Sequence, residues 1–380
     1  MRIARSAGFA GLLALGFFVA IVTAGTGACL AADTIKMGVP GAHSGDLASY
    51  GIPTVRAAEL VAKKYNDQGG VLGKKIELLV EDDQCKTEIA VNVATKLITD
   101  KVNIVLGHIC SGPCKASLAV YLAENVIVMS PSATNTELTK SGNYSNFFRT
   151  IAPDDAQAKT QVDFAIGTLG AKKIAIVHDK GDYGKGLAEF AQGFLAKDNR
   201  AEMVLYEGIT AGAVDYSAII NKIKRSGADV LIYGGFHPEA SKIVQQMRKK
   251  RMKTIMISDD GVKDDTFIKV AGAAAEGVYA TGPTDTTSNA MAIAAIAAHR
   301  KAYGEDPGAF FLNAYAAATA MLEAIKTAGT LEIGAVSKVL RSQFVETPLG
   351  KIGFDARGDA VGVGFSVFQV KNGVYVDVNK

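Results

Sequence analysis

The chain has 380 residues, enough for two domains and a sizeable core. Hydrophobic residues make up 48% and charged ones 21%, a balance that excludes a disordered chain. The formal net charge of +3 is spread without a dense basic block, which excludes a nucleic-acid footprint.

The first 32 residues read as a removable signal peptide. "MRIARSAGFAGLLALGFFVAIVTAGTGACLAAD" places Arg2 and Arg5 before an apolar run that ends in small residues. A membrane anchor is the alternative, because the run is long. Cleavage is expected after Ala31 or Ala32; lipidation at Cys29 is disfavoured by Thr26, which stands where an aliphatic residue is wanted. Removal of the two arginines leaves a near-neutral mature chain. No later segment offers about 18 uncharged apolar residues, so a soluble exported protein is expected.

Short apolar runs then alternate with helical patterns. "TIKMGVPGA" is a strand and "VRAAELVAKKYNDQGG" a helix stopped by Gly69 and Gly70; "KIELLVEDDQC" is a strand and "TEIAVNVATKLITDK" a helix. "VNIVLGHICS", "KASLAVYLAEN" and "VIVMSPSAT" continue as strand, helix, strand. "NFFRTIAPDDAQ" interrupts the rhythm without a helical period. A second series follows: helix "AKTQVDFAIGTLG", strand "KKIAIVHD", helix "KGLAEFAQGFLAK", strand "EMVLYEGIT", helix "YSAIINKIKRSG", strand "ADVLIYGGF", helix "EASKIVQQMRKK", then strands "KTIMISDD" and "GVYATGP". Two alanine-rich helices, "AMAIAAIAAHRKAYG" and "NAYAAATAMLEAIKTAG", precede a β-rich tail. Strand–helix alternation of this kind predicts α/β architecture with parallel sheets in two lobes.

In open α/β sheets ligands bind beyond the carboxyl ends of the strands. Those ends read "GAHSGDLASYG", "GHICSG", "SPSAT", "HDKGDYG", "YGGFHPE" and "ISDDG": small, hydroxylated or aromatic, with few cations. They suit a small polar ligand better than a polyphosphate. Ser111 and Gly112 open a helix whose free N–H groups favour a carboxylate. A plain N-cap role uses the same position, so both roles stay open for Ser111. Cys85 and Cys110 end neighbouring strands on one rim, and in an exported chain a bridge between them is favoured over metal binding by His108, Cys110 and Cys114. Such a bridge closes a loop of about 25 residues and contributes on the order of 3 kcal/mol. Cys114 is then a spare, buried thiol.

Other motifs fail on spacing. "GGVLGKK" is no P-loop, "VGVGFSV" lacks the third glycine of a dinucleotide fingerprint, and "GAHSG" is no nucleophile elbow. His43, His108, His178, His237 and His299 form no HExxH and read as structural. The acidic pairs at Asp82, at Asp154–Asp155 and at Asp259–Asp260 read as solvated loop residues by default. Asp260 stands out, because it ends a strand on the ligand edge where it could hold an ammonium group.

Taken together, "GAHSGDLASYG", "NDQGGVLGKKIELLVEDDQC", "VLGHICS", "MSPSATNTELT", "KKIAIVHDKGDYGKGLA", "GITAGAVDYS", "YGGFHPE" and "GDAVGVGFSVF" resemble the periplasmic branched-chain amino-acid binding proteins, the Leu/Ile/Val receptors of ABC importers. The likeness runs in the same order through nearly all of the mature chain. It implies a type I periplasmic-binding-protein fold: two doubly wound parallel-sheet lobes joined by a three-strand hinge, closing on a ligand. Crossovers are implied near Pro153, Pro283 and Gly362. The first lobe would then comprise 33–152 plus 284–361, and the second 153–283 plus 362–380.

The resemblance assigns the ligand carboxylate to Ser111, both ends of the α-amino acid to Thr134 and the ammonium to the Ser132 carbonyl and Asp260. Tyr50 and Tyr183 match ligand-covering tyrosines, and Ile109 and Phe310 apolar pocket positions; the cysteine before the serine is bridged, here Cys110 to Cys85. Two departures stand out. Asp260 replaces the family's usual glutamate, and Phe236 replaces a tyrosine. The function implied is capture of an aliphatic L-amino acid for a membrane permease, with no cofactor, no metal, no reaction of its own, a periplasmic location and a monomeric state. Receptors for another neutral amino acid, or for a separate signalling partner, share these features; an enzyme would need a nucleophile–base pair or a metal at the cleft.

Overall fold

Strands that can be buried on both faces must be apolar throughout, and the central runs of this chain are. The computed structural model describes residues 34–378 together with Gly8; the expected signal peptide, Gly8 apart, lies outside the described residues. Strands β1 (Ile35–Gly41), β2 (Ile76–Asp82), β3 (Ile104–Leu106), β4 (Ile127–Ser130) and β5 (Phe147–Arg149) form a parallel sheet in the order β2-β1-β3-β4-β5. Helices α1 (Ala48–Asp67), α2 (Thr87–Thr99), α3 (Ser111–Ala123) and the short α4 (Glu137–Lys140) connect them. Every residue of β3, β4 and β5 is buried.

The chain then leaves this sheet. Helix α5 (Asp154–Asp163) leads to β6 (Lys173–His178), α6 (Asp182–Leu195), β7 (Glu202–Gly208), α7 (Ser217–Ser226), β8 (Val230–Gly234), α8 (His237–Lys249), β9 (Ile255–Ser258), α9 (Asp265–Ala271) and β10 (Tyr279–Pro283). It returns to the first lobe as α10 (Ala290–Tyr303), α11 (Phe311–Ala328), α12 (Ile333–Ser342) and a small antiparallel sheet of β11 (Val345–Thr347), β12 (Gly350–Phe354) and β13 (Ala360–Val361). It ends with β14 (Phe365–Lys371) and β15 (Val374–Asp377), which add antiparallel strands to the second sheet. That sheet runs β15-β14-β10-β9-β8-β6-β7. The architecture is α/β, with two lobes each built on a largely parallel sheet. The chain passes between them three times: after β5, after β10 and before β14.

Helices cover both faces of each sheet. On one face of the first, α1 and α11 bury Val61, Tyr65, Phe311, Met321 and Ile325; on the other, α2 and α3 bury Leu97, Leu118 and Tyr121. Each large aliphatic side chain so buried contributes about 1.5–3 kcal/mol. Gly227, Gly304 and Gly329 end α7, α10 and α11 in the left-handed conformation, which a Cβ would penalise. The stretch "NFFRTIAPDDAQ", in which no helical period is visible, is β5 followed by the start of α5. Pro153 breaks the two apart: it caps the helix in an extended conformation. Among the described residues no helix is long and apolar enough to cross a membrane.

The strand orders place the crevices. In the first sheet the connections reverse between β1 and β3, and in the second between β6 and β8. Loops at such switch points open a crevice at the carboxyl edge. These loops and the first turns of the helices they enter carry Tyr50 and 107–111 in one lobe and Tyr183 and Phe236 in the other.

Candidate functional site

The first-lobe wall starts where β3 stops. A Cβ at Gly107 would lie 2.3 Å from the Pro40 carbonyl oxygen, and its φ of 145° lies in the region that favours glycine, so only glycine lets this loop cross β1 so closely. The loop then carries His108, Ile109 and Cys110 into α3. Cys110 is bonded to Cys85, with S–S 2.01 Å. Cys110 occupies the cap position and Ser111 is the first helical residue. The Ser111 hydroxyl accepts from the Asn135 N–H at 3.1 Å rather than capping its own helix. The N-cap role is therefore not the one Ser111 plays.

The loop after β4 is laced to this one through hydroxyls. Ser130 Oγ donates to the His108 carbonyl at 2.6 Å and accepts from Ala133 N–H; Ser132 Oγ donates to the Ile109 carbonyl at 2.8 Å. Beneath lies a buried chain: Asp83 Oδ2 to His108 Nδ1 at 2.6 Å, and His108 Nε2 to Tyr121 Oη at 3.1 Å. Arg149, fully buried, donates to the carbonyls of Ala133 (3.2 Å) and Asn135 (2.8 Å), to Thr139 Oγ1 (2.6 Å) and to Asp359 (2.6 Å). It holds the 133–135 loop in place from behind.

The second-lobe wall is aromatic and acidic. Tyr183 Oη donates to Asp260 Oδ1 at 2.5 Å and accepts from Gly261 N–H at 3.1 Å. Burial pushes the Asp260 carboxyl up to about 6, while hydrogen bonds from Tyr183 and Gln157 oppose the rise. Its neighbour Asp259 is also held well above the usual carboxylate range by burial, and takes the Gly235 N–H at 2.8 Å. The Tyr183 and Phe236 rings lie 5.3 Å apart. Phe310, at φ 60°, is a non-glycine residue in the left-handed region, a conformation that costs on the order of 1–3 kcal/mol. It brings the ring within 5.9 Å of Tyr50.

The two walls touch. Tyr50 Oη lies 2.5 Å from the Gly261 carbonyl and 2.6 Å from His237 Nδ1, and Asn135 Nδ2 donates to the Asp182 carbonyl at 2.6 Å. Between the walls is a pocket lined by Tyr50, Ile109, Cys110, Ser111, Ser132, Tyr183, Phe236, Asp260, Gly261 and Phe310. Eight of the nine residues singled out in the sequence line it. The ninth, Thr134, is not among the lining residues; it is fully buried, and its carbonyl accepts from the Asp154 N–H at 3.0 Å. At one end stand the α3 N-terminus and a hydroxyl; at the other stands a buried carboxyl; the sides are apolar. Such a cavity is complementary to a zwitterion with an apolar side chain. Among the described residues no cluster of three His, Cys, Asp or Glu is placed to hold a metal ion.

Three expectations need correction. Asp83, Asp154 and Asp259 are not solvated loop residues; each is fully buried, because the loops that carry them fold under the sheet edges. The Tyr50 partner His237 and the brace Arg149 were not singled out as site residues. His237 lies on the rim after β8, so the strand-end rule that marks Asp260 marks it too. Nothing local in "NFFRT" distinguishes Arg149, whose acid partner is 210 residues away. Cys114 is a free, buried thiol, as expected.

A family profile described as "Periplasmic binding protein" matches residues 34–374. The leucine-, isoleucine-, valine-, threonine- and alanine-binding protein of Pseudomonas aeruginosa is 35% identical over 93% of this chain and 94% of its own length. The Leu/Ile/Val-binding protein of Escherichia coli is 35% identical over 97% of both chains. Among solved structures, the branched-chain amino acid transporter substrate binding protein LivJ of Streptococcus pneumoniae, in complex with isoleucine, is 30% identical with a TM-score of 0.80, over 91% of this chain and 100% of its own.

Proposed function

The chain belongs to the periplasmic binding protein family, and on that premise we propose that it is an extracytoplasmic receptor that captures an aliphatic, branched-chain L-amino acid between its lobes and delivers it to an ABC permease. One observation carries the reading: Ser111 at the α3 N-terminus and Asp260 from the opposite lobe line the same pocket. The helix end and hydroxyl take the carboxylate, and Asp260 with the Ser132 carbonyl and Thr134 takes the ammonium. Ile109, Phe236 and Phe310, with the rings of Tyr50 and Tyr183, enclose the side chain. The relatives named for Leu, Ile and Val binding support this ligand class.

The two lobes are assigned to 33–152 plus 284–361 and to 153–283 plus 362–380. Closure of one on the other presents a shape that a permease can read, and the receptor acts without chemistry of its own, as a periplasmic monomer. Asp260 is one methylene shorter than glutamate and Phe236 lacks a hydroxyl, so the pocket differs from the family pattern at the ammonium end.

The test is a ligand screen on the mature chain from Asp33, oxidised and stripped of bound ligand by partial unfolding. The chain has no Trp, so thermal shift followed by calorimetry replaces intrinsic fluorescence. A ligand at about 100 times its Kd adds roughly 2.7 kcal/mol. The largest shifts are expected from Leu, Ile and Val. Preference for small polar amino acids would refute the branched-chain assignment, and no response to any amino acid would refute the receptor reading.

A further inference from the structure

Asn135 lies in the first lobe between β4 and α4, and each of its polar groups is engaged. Its backbone N–H donates to the Ser111 hydroxyl at 3.1 Å, and its carbonyl accepts from Arg149 at 2.8 Å. Its side-chain oxygen accepts from the Glu137 N–H at 2.9 Å, a local turn that fixes which way the amide faces. The amide nitrogen therefore points to the other lobe, where it donates to the Asp182 carbonyl at 2.6 Å. Asp182 opens α6, and the next residue, Tyr183, donates to Asp260.

One turn along α6, Gly186 leaves room for this crossing. A Cβ there would lie 2.9 Å from Asn135 Nδ2, closer than packed atoms approach, and 3.7 Å from Asp154 Oδ2, an ordinary contact. A side chain at 186 would thus push the amide off the Asp182 carbonyl while sparing the rest of the interface. Lys115 also reaches Asp182, at 3.5 Å, but both side chains are exposed and such a pair contributes little. Asn135 is 7% exposed, so its bond to Asp182 is sheltered from competing water.

We propose that Asn135 is a positioning residue that couples capture of the ligand carboxylate to closure of the lobes, with Gly186 as the notch that admits its side chain. The inference rests on the amino-acid receptor reading above. A hydroxyl has one proton, and Ser111 accepts from Asn135, so that proton is left for the ligand carboxylate. The bond from Asn135 to Asp182 joins different lobes and forms only when they meet. A carboxylate held by Ser111 steadies the backbone at 135 and so presents the amide to α6. The amide in turn holds Asp182, and with it Tyr183 and Asp260, at the far end of the ligand. This latch touches no ligand atom, so it slows reopening for every ligand alike and leaves entry unaffected.

The experiment measures leucine association and release by stopped-flow, with melting of the ligand-free protein, on the oxidised mature chain, Asn135→Ala, Gly186→Ala and the double variant. Gly186→Ala keeps every pocket side chain and adds a better helix former, so its ligand-free melting temperature is expected to be no lower than the native one. Release is expected to be about tenfold faster in each single variant, with association within about twofold of native. The double variant is expected to release leucine no faster than Asn135→Ala, because both changes remove one bond. Isoleucine and valine are expected to be released faster by the same factor. Unchanged release from Gly186→Ala overturns the proposal, whether or not Asn135→Ala folds, and leaves the receptor reading standing. Slower association in place of faster release, or an effect confined to one ligand, overturns it too. Failure of the native protein to bind any amino acid overturns both.

Discussion

The Tyr50 hydroxyl and the His237 imidazole meet at 2.6 Å across the cleft, 187 residues apart in sequence. The same hydroxyl reaches the Gly261 carbonyl at 2.5 Å. A phenol has one proton, and a carbonyl can only accept. Tyr50 therefore donates to the Gly261 carbonyl, and its oxygen lies against His237 Nδ1. One side chain from the first lobe is thus held twice by the second. Tyr50→Phe keeps the ring against Phe236 and Phe310 and removes only this clasp. It is expected to speed leucine dissociation about tenfold, with a stability loss of about 1 kcal/mol, measured by stopped-flow and by urea denaturation.

At the ammonium end, Asp260→Asn removes the charge and keeps the shape. Loss of one charge-assisted contact at a buried site is expected to weaken leucine about 10–100-fold by calorimetry. Asp260→Glu is expected to bind. Unchanged affinity in Asp260→Asn would move the ammonium elsewhere.

Buried acids make the ligand-free stability fall with rising pH. The carboxyls of Asp154 and Asp260 are raised, to about 8 and about 6, mainly by burial. A raised folded-state value means that the folded form binds the extra proton. Their contribution is full below the unfolded pKa of about 4 and is lost as pH climbs through about 6 and then 8. Relative to the native chain, Asp154→Asn is expected to gain stability steadily between those limits, by a few kcal/mol at most. Thermal melts across this range check the trend; a constant difference would show that Asp154 does not titrate there.

The Cys85–Cys110 bridge spans 25 residues. Replacing both cysteines with serine is expected to cost about 3 kcal/mol in urea denaturation. Because the bridge also fixes the residue before Ser111, leucine affinity is expected to fall with it.

Arg149 is fully buried and paired with Asp359 at 2.6 Å. Arg149→Met leaves the carboxylate and two loop carbonyls without their donor. A loss of about 3–5 kcal/mol is expected on denaturation, with weaker ligand binding because the 133–135 loop is released.

The alternation of strand and helix was legible in the sequence, and so were the loops that line the cleft, because periodicity and turn residues act over a few neighbours. "VLGHICS", "SPSAT" and "ISDDG" could be placed at strand ends from local pattern alone, and Ser111 and Asp260 came with them; Ser132 came from the family resemblance. The disulfide followed from two cysteines on one rim in a chain whose first residues read as an export signal. Tertiary structure alone decided which carboxylates are buried, that Ser111 turns to Asn135, that Tyr50 is clasped by His237, and that Arg149 braces the loop from behind. Burial is a property of everything packed around a group, and each of these contacts joins residues from separate segments. Asp154 shows the difference most plainly. In "PDDAQ" it reads as a solvated acid, and only the helix packed over it takes the water away.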